Sequence, residues 1–206
     1  MRRLAPCAAP LVLAVLMGTG CAVSRAPAPG GADPGAAPAP QSAPAAGPDA
    51  PAEDQIARAV FDRVNAERVE RGLAEVSWNE GLATLARDWS EQMAGSGEFV
   101  HQDLRPVLQG DRLPGLVALG ENIFTSSGPV PAGTVHVEWM RSDEHRANLL
   151  DPGWDRLGIG VVCAADGSVW ATQEFGRTAG SDRPAVARTT PPAEPLVAAG
   201  QDGPSC

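Results

Sequence analysis

The sequence predicts an α+β domain, and three observations lead there. Two amphipathic helical segments open the foldable part of the chain, and an alternating hairpin with a tight turn closes it. Helices and strands come in blocks instead of alternating strictly, which is the α+β pattern. The chain has 206 residues, but Ala, Pro and Gly dominate both ends, so a single domain is expected. With 16 Lys+Arg against 25 Asp+Glu the net charge is −9, and an acidic domain repels phosphate backbones, which excludes nucleic acid as a partner.

Residues 1–21 predict a secretory signal peptide: Arg2 and Arg3 precede the apolar run Leu11 to Met17, and Gly18, Thr19 and Gly20 follow it. That run is too short to span a bilayer as a stable helix. Cys21 then stands where bacterial lipoprotein precursors carry the cysteine that is lipidated, although Gly18 occupies the place usually held by Leu. Lipidation of Cys21 is expected, with secretion of an unmodified chain as the alternative. Residues 22–52 are an Ala/Pro/Gly-rich linker expected to be disordered, a tether that holds the domain away from a membrane surface.

The domain is placed at 53–178. Its first helix runs from about Glu53 to Arg71, with Ile56, Val60 and Val64 at steps of four and Gly72 to end it. Arg58, Asp62, Glu67, Arg68, Glu70 and Arg71 are expected to form its solvated face. Ser77 with Glu80 gives capping-box spacing for a second helix, whose apolar face is Leu82, Leu85, Ala86, Trp89 and Met93 before Gly95 and Gly97. Asp103 to Leu119 and Thr125 to Gly133 read as surface connections.

A third helix is predicted over Glu138 to Leu150, stopped by Asp151-Pro152-Gly153. At 3.6 residues per turn Glu138, Ser142 and His145 share one face, while His136 falls on the opposite face and is expected to be solvated. Leu157 to Cys163 and Val169 to Phe175 alternate around Asp166-Gly167, a β-hairpin. Gly158 and Gly160 leave one face of the first strand bare, ready for a helix or an aromatic ring such as Trp154 or Trp170. Residues 179–206 are expected to be a disordered tail. With Cys7 removed and Cys21 lipidated, Cys163 and Cys206 form an even pair in an oxidising compartment, and a bridge between them is expected over two unrelated thiols.

Several separated segments occur in an order that resembles one family. They are Asn65-Ala66-Glu67-Arg68 with Gly72-Leu73, Trp78 ahead of Leu82-Ala83, His101, Gly120-Glu121-Asn122-Ile123, Trp139-Met140-Arg141-Ser142 with His145 to Leu150, Gly158-Ile159-Gly160, and Trp170 to Gly176. Together they resemble a bacterial CAP-domain protein, of the superfamily of cysteine-rich secretory proteins, antigen 5 and pathogenesis-related proteins. The resemblance implies an α-β-α sandwich, a small and mainly antiparallel sheet between helical layers, in an extracellular protein. It also implies a cleft with two histidines and two glutamates that in some members binds a divalent metal such as zinc. His101, Glu121 and His145 match three of those four; the fourth position is Ser142, and Glu138 one turn earlier is the candidate substitute.

The candidate cleft is therefore His101, Glu121, Glu138, Ser142 and His145, with His101 and His145 as ligands for Zn or another divalent metal. No glycine-flanked elbow surrounds Ser142, so it is not expected to be a nucleophile. The expected function is a secreted, lipid-anchored, monomeric binding module whose cleft takes a divalent metal, a small apolar ligand or a cell-envelope component. The alternative is a metal-assisted hydrolase of peptide or cell-envelope substrates, with Glu121 as base. A third reading makes His101, Glu121 and His145 a polar network that locks helix to sheet.

Overall fold

A computed structural model describes residues 46, 47, 49–187, 189–194, 196 and 200–206. The expected signal peptide at 1–21, the expected lipidation of Cys21 and most of the 22–52 linker lie outside the described residues. The described chain runs α1 (Ala52–Glu70), β1 (Ser77–Trp78), α2 (Glu80–Ser96), α3 (Leu104–Gln109), β2 (Leu116–Ser126), α4 (Ala132–Arg141), α5 (Asp143–Leu149), β3 (Arg156–Cys163) and β4 (Val169–Thr178).

The four strands form one sheet in the order β1-β3-β4-β2. β3 and β4 are the expected antiparallel hairpin, with Gly167 at φ 86° in the turn, and the short β1 joins β3 in parallel. β2 pairs antiparallel with β4 and forms the other edge. Part of this strand, and all of α3, lie in segments expected to be surface connections. The sequence Leu116 to Ser126 has no clean alternation because an edge strand flanked by helices buries side chains on both faces.

Helices cover both faces. On one side α2 lies directly on Gly158 and Gly160: a Cβ added to either would stand 2.1 Å and 2.0 Å from the backbone nitrogens of Ala83 and Arg87. The bare face of β3 thus admits a helix and not an aromatic ring. Ser90 of α2 seals the contact, donating to the Gly160 carbonyl at 3.2 Å and meeting the Thr172 hydroxyl at 2.9 Å. On the opposite side Leu157, Ile159 and Val161 join Ile56, Val60 and Val64 of α1 and Val135 and Trp139 of α4 in the main core. A smaller cluster of Leu82, Leu85 and Leu113 gathers beside α2. The result is a mixed sandwich of helix, sheet and helix.

Several local expectations are corrected. α2 is capped by Asn79, whose side chain accepts from Leu82 N at 2.9 Å, and not by Ser77, which is in β1. Glu67 and Arg68 are buried, not solvated. Arg68 donates to the carbonyls of Ala74, Leu149 and Asp151 at 2.9–3.0 Å, so one guanidinium gathers chain ends that would otherwise be unsatisfied. Burial lowers its pKa to about 10, which still leaves it charged at neutral pH. His136 is buried, not solvated: it sits in α4, which packs on α1. Burial, and then the nearby Arg63 cation, lower its pKa to about 4.

The predicted single helix from Glu138 to Leu150 is two helices. Ser142 adopts φ −79°, ψ 126°, an extended conformation that ends α4 and starts α5. Arg146 makes the break affordable in hydrogen bonds: its guanidinium reaches back to the α4 carbonyls of Met140 and Arg141 at 2.8 and 3.4 Å and to Asp143 at 2.5 Å.

The described residues beyond Thr178 form no helix or strand, yet they run against the domain. Arg146 and Arg71 donate to carbonyls of Pro191, Pro192 and Ala193, and Arg63 donates to that of Gly200 at 3.0 Å. The carbonyls of Asp202 and Pro204 accept from Gly133 N and Ala132 N, in place of the side-chain cap that α4 lacks. Cys206 is disulfide-bonded to Cys163, with Cα atoms 5.5 Å apart.

Candidate functional site

A cleft of about 520 Å³ follows the edge strand β2, between the segment leading into α3 and the helix α5. Successive β2 side chains point to opposite faces, so Glu121 and Asn122 serve the two sides of this cleft differently. Glu121 turns toward His101, whose Nδ1 donates to Glu121 Oε1 at 2.6 Å, and the same oxygen accepts from Gln102 N at 3.0 Å. The Glu121 side chain is 4% exposed and that of His101 60%, so a buried carboxylate orients an imidazole that reaches solvent. Its Nε2 is the nitrogen left for a ligand.

Asn122 turns toward α5. Its amide donates to the His145 carbonyl at 3.1 Å and to Gln173 Oε1 at 3.0 Å, while Asn148 donates to Asn122 Oδ1 at 2.9 Å and to the Glu121 carbonyl at 3.0 Å. These bonds fasten α5 to β2 through backbone atoms and leave the His145 ring to line the cleft. Burial first, and then the proximity of His101, hold His145 below the ordinary histidine range, opposed by Glu144. Gly120 keeps the floor open to Trp154, because a Cβ there would lie 2.7 Å from the Trp154 ring.

His101, Glu121 and His145 are therefore brought together at one cleft. Glu138 and Ser142 are not among its lining residues. The break at Ser142 removes the shared helix face; Glu138 instead pairs with Arg141 at 2.8 Å on the surface, and the Ser142 side chain makes no capping bond. Sequence reasoning missed Leu104, Leu119, Glu144 and Thr190, which complete the walls. It also missed Glu174, directly opposite Glu121 on β4 and fully buried. Burial, followed by the Glu121 charge, raises Glu174 well above the usual carboxylate range, with Arg112 opposing. In the structure neither carboxyl oxygen of Glu174 has a hydrogen-bond partner, so burial above all holds the group toward its neutral form. The available signal was an acid inside a strand expected to be covered on both faces.

The metal implied by the resemblance can be tested against these donors. Glu121 Oε1 already accepts two hydrogen bonds, while Glu121 Oε2 is buried without a partner. Among the described residues no three His, Cys, Asp or Glu side chains converge as a metal-binding group. Two imidazoles are one short of the three protein ligands that a zinc site ordinarily uses.

The sandwich and the cleft between β2 and α5 define a class, and the sequence comparison states it: the CAP domain of the cysteine-rich secretory protein family matches residues 61–175. The chain belongs to that family. It is 32% identical over 124 residues to the uncharacterized protein YkwD of Bacillus subtilis (strain 168), a match covering 58% of this chain and 47% of that protein. It is also 32% identical over 108 residues to the uncharacterized membrane protein YlbC of the same organism, covering 50% of this chain and 31% of the other. The match thus spans less than half of either relative's length. Among solved structures, an extracellular protein containing a SCP domain from Bacillus anthracis superposes with a TM-score of 0.50 at 29% identity, over 65% of this chain and 45% of that one. A cysteine-rich secretory protein from Staphylococcus aureus superposes with a TM-score of 0.51 at 23% identity, over 61% and 39%, and shares the fold. Among the described residues no helix is long and apolar enough to cross a membrane.

Proposed function

We propose that this CAP-domain protein is an extracellular binding module, anchored by lipid at Cys21, whose β2–α5 cleft takes a small amphiphilic ligand without turnover. The observation that carries the reading is the His101–Glu121 pair at the mouth of the cleft. A buried carboxylate fixes the ring, so Nε2 is presented as an acceptor for a hydroxyl or similar donor on the ligand. Leu104, Leu119 and Ala147 supply an apolar wall for the ligand's body, and a cleft of about 520 Å³ is within the ordinary range for small-molecule sites. The extracellular placement is supported by the signal-peptide pattern, by the Cys163–Cys206 bridge and by the extracellular relative from Bacillus anthracis.

Binding is favoured over hydrolysis because Glu121, the only base the cleft offered from sequence, already spends one oxygen on His101 and Gln102. The test is a titration of the protein with octanol and with octanoate, read at the imidazole resonances of His101 and His145. Octanol is expected to move both saturably, and His101→Ala to weaken it by about tenfold, the size of one lost hydrogen bond to a buried partner. Equal affinity in His101→Ala, His145→Ala and the parent protein would sink the cleft reading. A zinc titration by calorimetry on the same three proteins addresses the metal separately: equal heats remove it. The mass of the membrane-extracted protein reads the anchor, since an unmodified Cys21 removes it.

A further inference from the structure

A second cavity, of about 450 Å³, lies between α1, α2 and the β1–β3 side of the sheet. Arg58 of α1 stacks on Trp78 of β1, its guanidinium carbon 3.7 Å from the ring centre. Both residues line the cavity. Each carries a buried N–H donor with no acceptor: Arg58 Nη1 and Trp78 Nε1. Trp78 itself is only 7% exposed. Buried donors without partners are uncommon in folded proteins because losing water without a replacement is costly. Two of them, on stacked side chains that line one cavity, call for a shared acceptor.

The charges on the rim narrow the chemistry. Arg58 Nη2 reaches Glu80 Oε1 at 3.3 Å, but the Glu80 side chain is 68% exposed and the contact is long. Arg87, the other cation on the cavity, is paired with Asp54. The remaining walls include Ala57, Ala83 and Ile159, which offer neither donors nor acceptors from their side chains. A ligand that fits must be small, must bring acceptors, and gains most if it carries a negative charge to meet the Arg58 cation.

We propose that this cavity is a binding site for a small carboxylate, whose oxygens accept from Arg58 Nη1 and Trp78 Nε1 while its body lies against Ala57, Ala83 and Ile159. The site is separate from the β2–α5 cleft and stands whether or not that cleft binds an amphiphile. Glu80, on the neighbouring Nη2 of the same guanidinium, opposes the ligand by its like charge.

The probe is N-acetylalanine, titrated into isotope-labelled protein and followed at the indole N–H resonances, with that of Trp78 identified by its loss in Trp78→Phe. A saturable shift of the Trp78 resonance is expected. Arg58→Gln should weaken binding by tenfold or more, and Glu80→Ala should tighten it about threefold, the factor expected from freeing one exposed ion pair. N-acetylalanine amide, which has the same body without the charge, should bind at least tenfold more weakly. No saturable shift at Trp78, or equal binding of acid and amide, overturns the proposal. If Arg58→Gln loses its fold, Glu80→Ala decides, since its exposed side chain can be removed safely: weaker binding in that variant also overturns it.

Discussion

Glu121 and Glu174 face each other in register across β2 and β4, and both are buried. Burial, and then the neighbouring Glu121 carboxylate, push Glu174 well above the usual carboxylate range, while Glu121 Oε1 holds the hydrogen bond to His101. The exposed imidazole thus rests on a carboxylate whose partner across the strands never meets solvent.

Replacing Glu174 by Gln keeps the shape of the neutral acid and removes its ability to ionise. For an acid whose folded pKa is raised above the unfolded value of 4.5, the stabilising protonation is complete below that value and is lost as pH rises. Glu174→Gln is therefore expected to raise the melting midpoint at about pH 8, by a few degrees, and to give a smaller gain at about pH 4.5. Thermal melts of both proteins across this range check it; a parent protein whose stability relative to the variant does not fall with rising pH contradicts the neutral acid.

His136 titrates with the opposite sign. Its folded pKa of about 4 lies below the ordinary 6.5, so the buried neutral ring contributes stability above 6.5 that is lost as pH falls toward 4. At ~1.4 kcal/mol per pKa unit the loss is on the order of 3 kcal/mol. His136→Leu should flatten the urea midpoint over this acid window, and a slope unchanged by the substitution would assign the acid loss to other groups.

The seat of α2 on β3 allows no side chain. A methyl at Gly160 would lie 2.0 Å from Arg87 N, which belongs to backbone and cannot swing away. Gly160→Ala is expected to cost about 3 kcal/mol or more, a fall of roughly 10 °C in melting midpoint. Gly95, with nothing within 4 Å of its added Cβ, is the control, and Gly95→Ala should be neutral or slightly stabilising.

The bridge from Cys163 to Cys206 closes a segment with a sequence separation of 43. Cys206→Ser is expected to cost about 4 kcal/mol by loop entropy. Because the same tail caps α4 and supplies Thr190 to the cleft wall, hydrogen exchange at Ala132, Gly133 and around Thr190 should rise together. Faster exchange at the α4 end alone would mean that the stretch near Thr190 is held by Arg71 and Arg146 without help from the disulfide.

Much of this was legible in the sequence. Periodicity located α1, α2 and the β3–β4 hairpin, and the paired glycines of β3 announced a close neighbour, because these signals are local. Spacing misled at Ser142, where a tertiary contact, the reach of Arg146 back to Met140, favours a break over a continuous helix. Arg68 and His136 looked like surface residues because polarity is a poor guide where a buried side chain collects backbone carbonyls, or packs as a neutral ring. Pairing Glu174 with Glu121 needed strand register, and register depends on pairing between segments about fifty residues apart.

The bolts holding the β2–α5 cleft together are Asn122 and Asn148, and what they grip is main chain: the carbonyls of His145 and Glu121. Fixings of that kind do not depend on which side chain the gripped residue bears. Position 145 can accordingly be rewritten with little harm to the scaffold, so the wall of the cleft can change while its frame stays. Diversification of taste without rebuilding the vessel is built into the hydrogen-bond pattern itself.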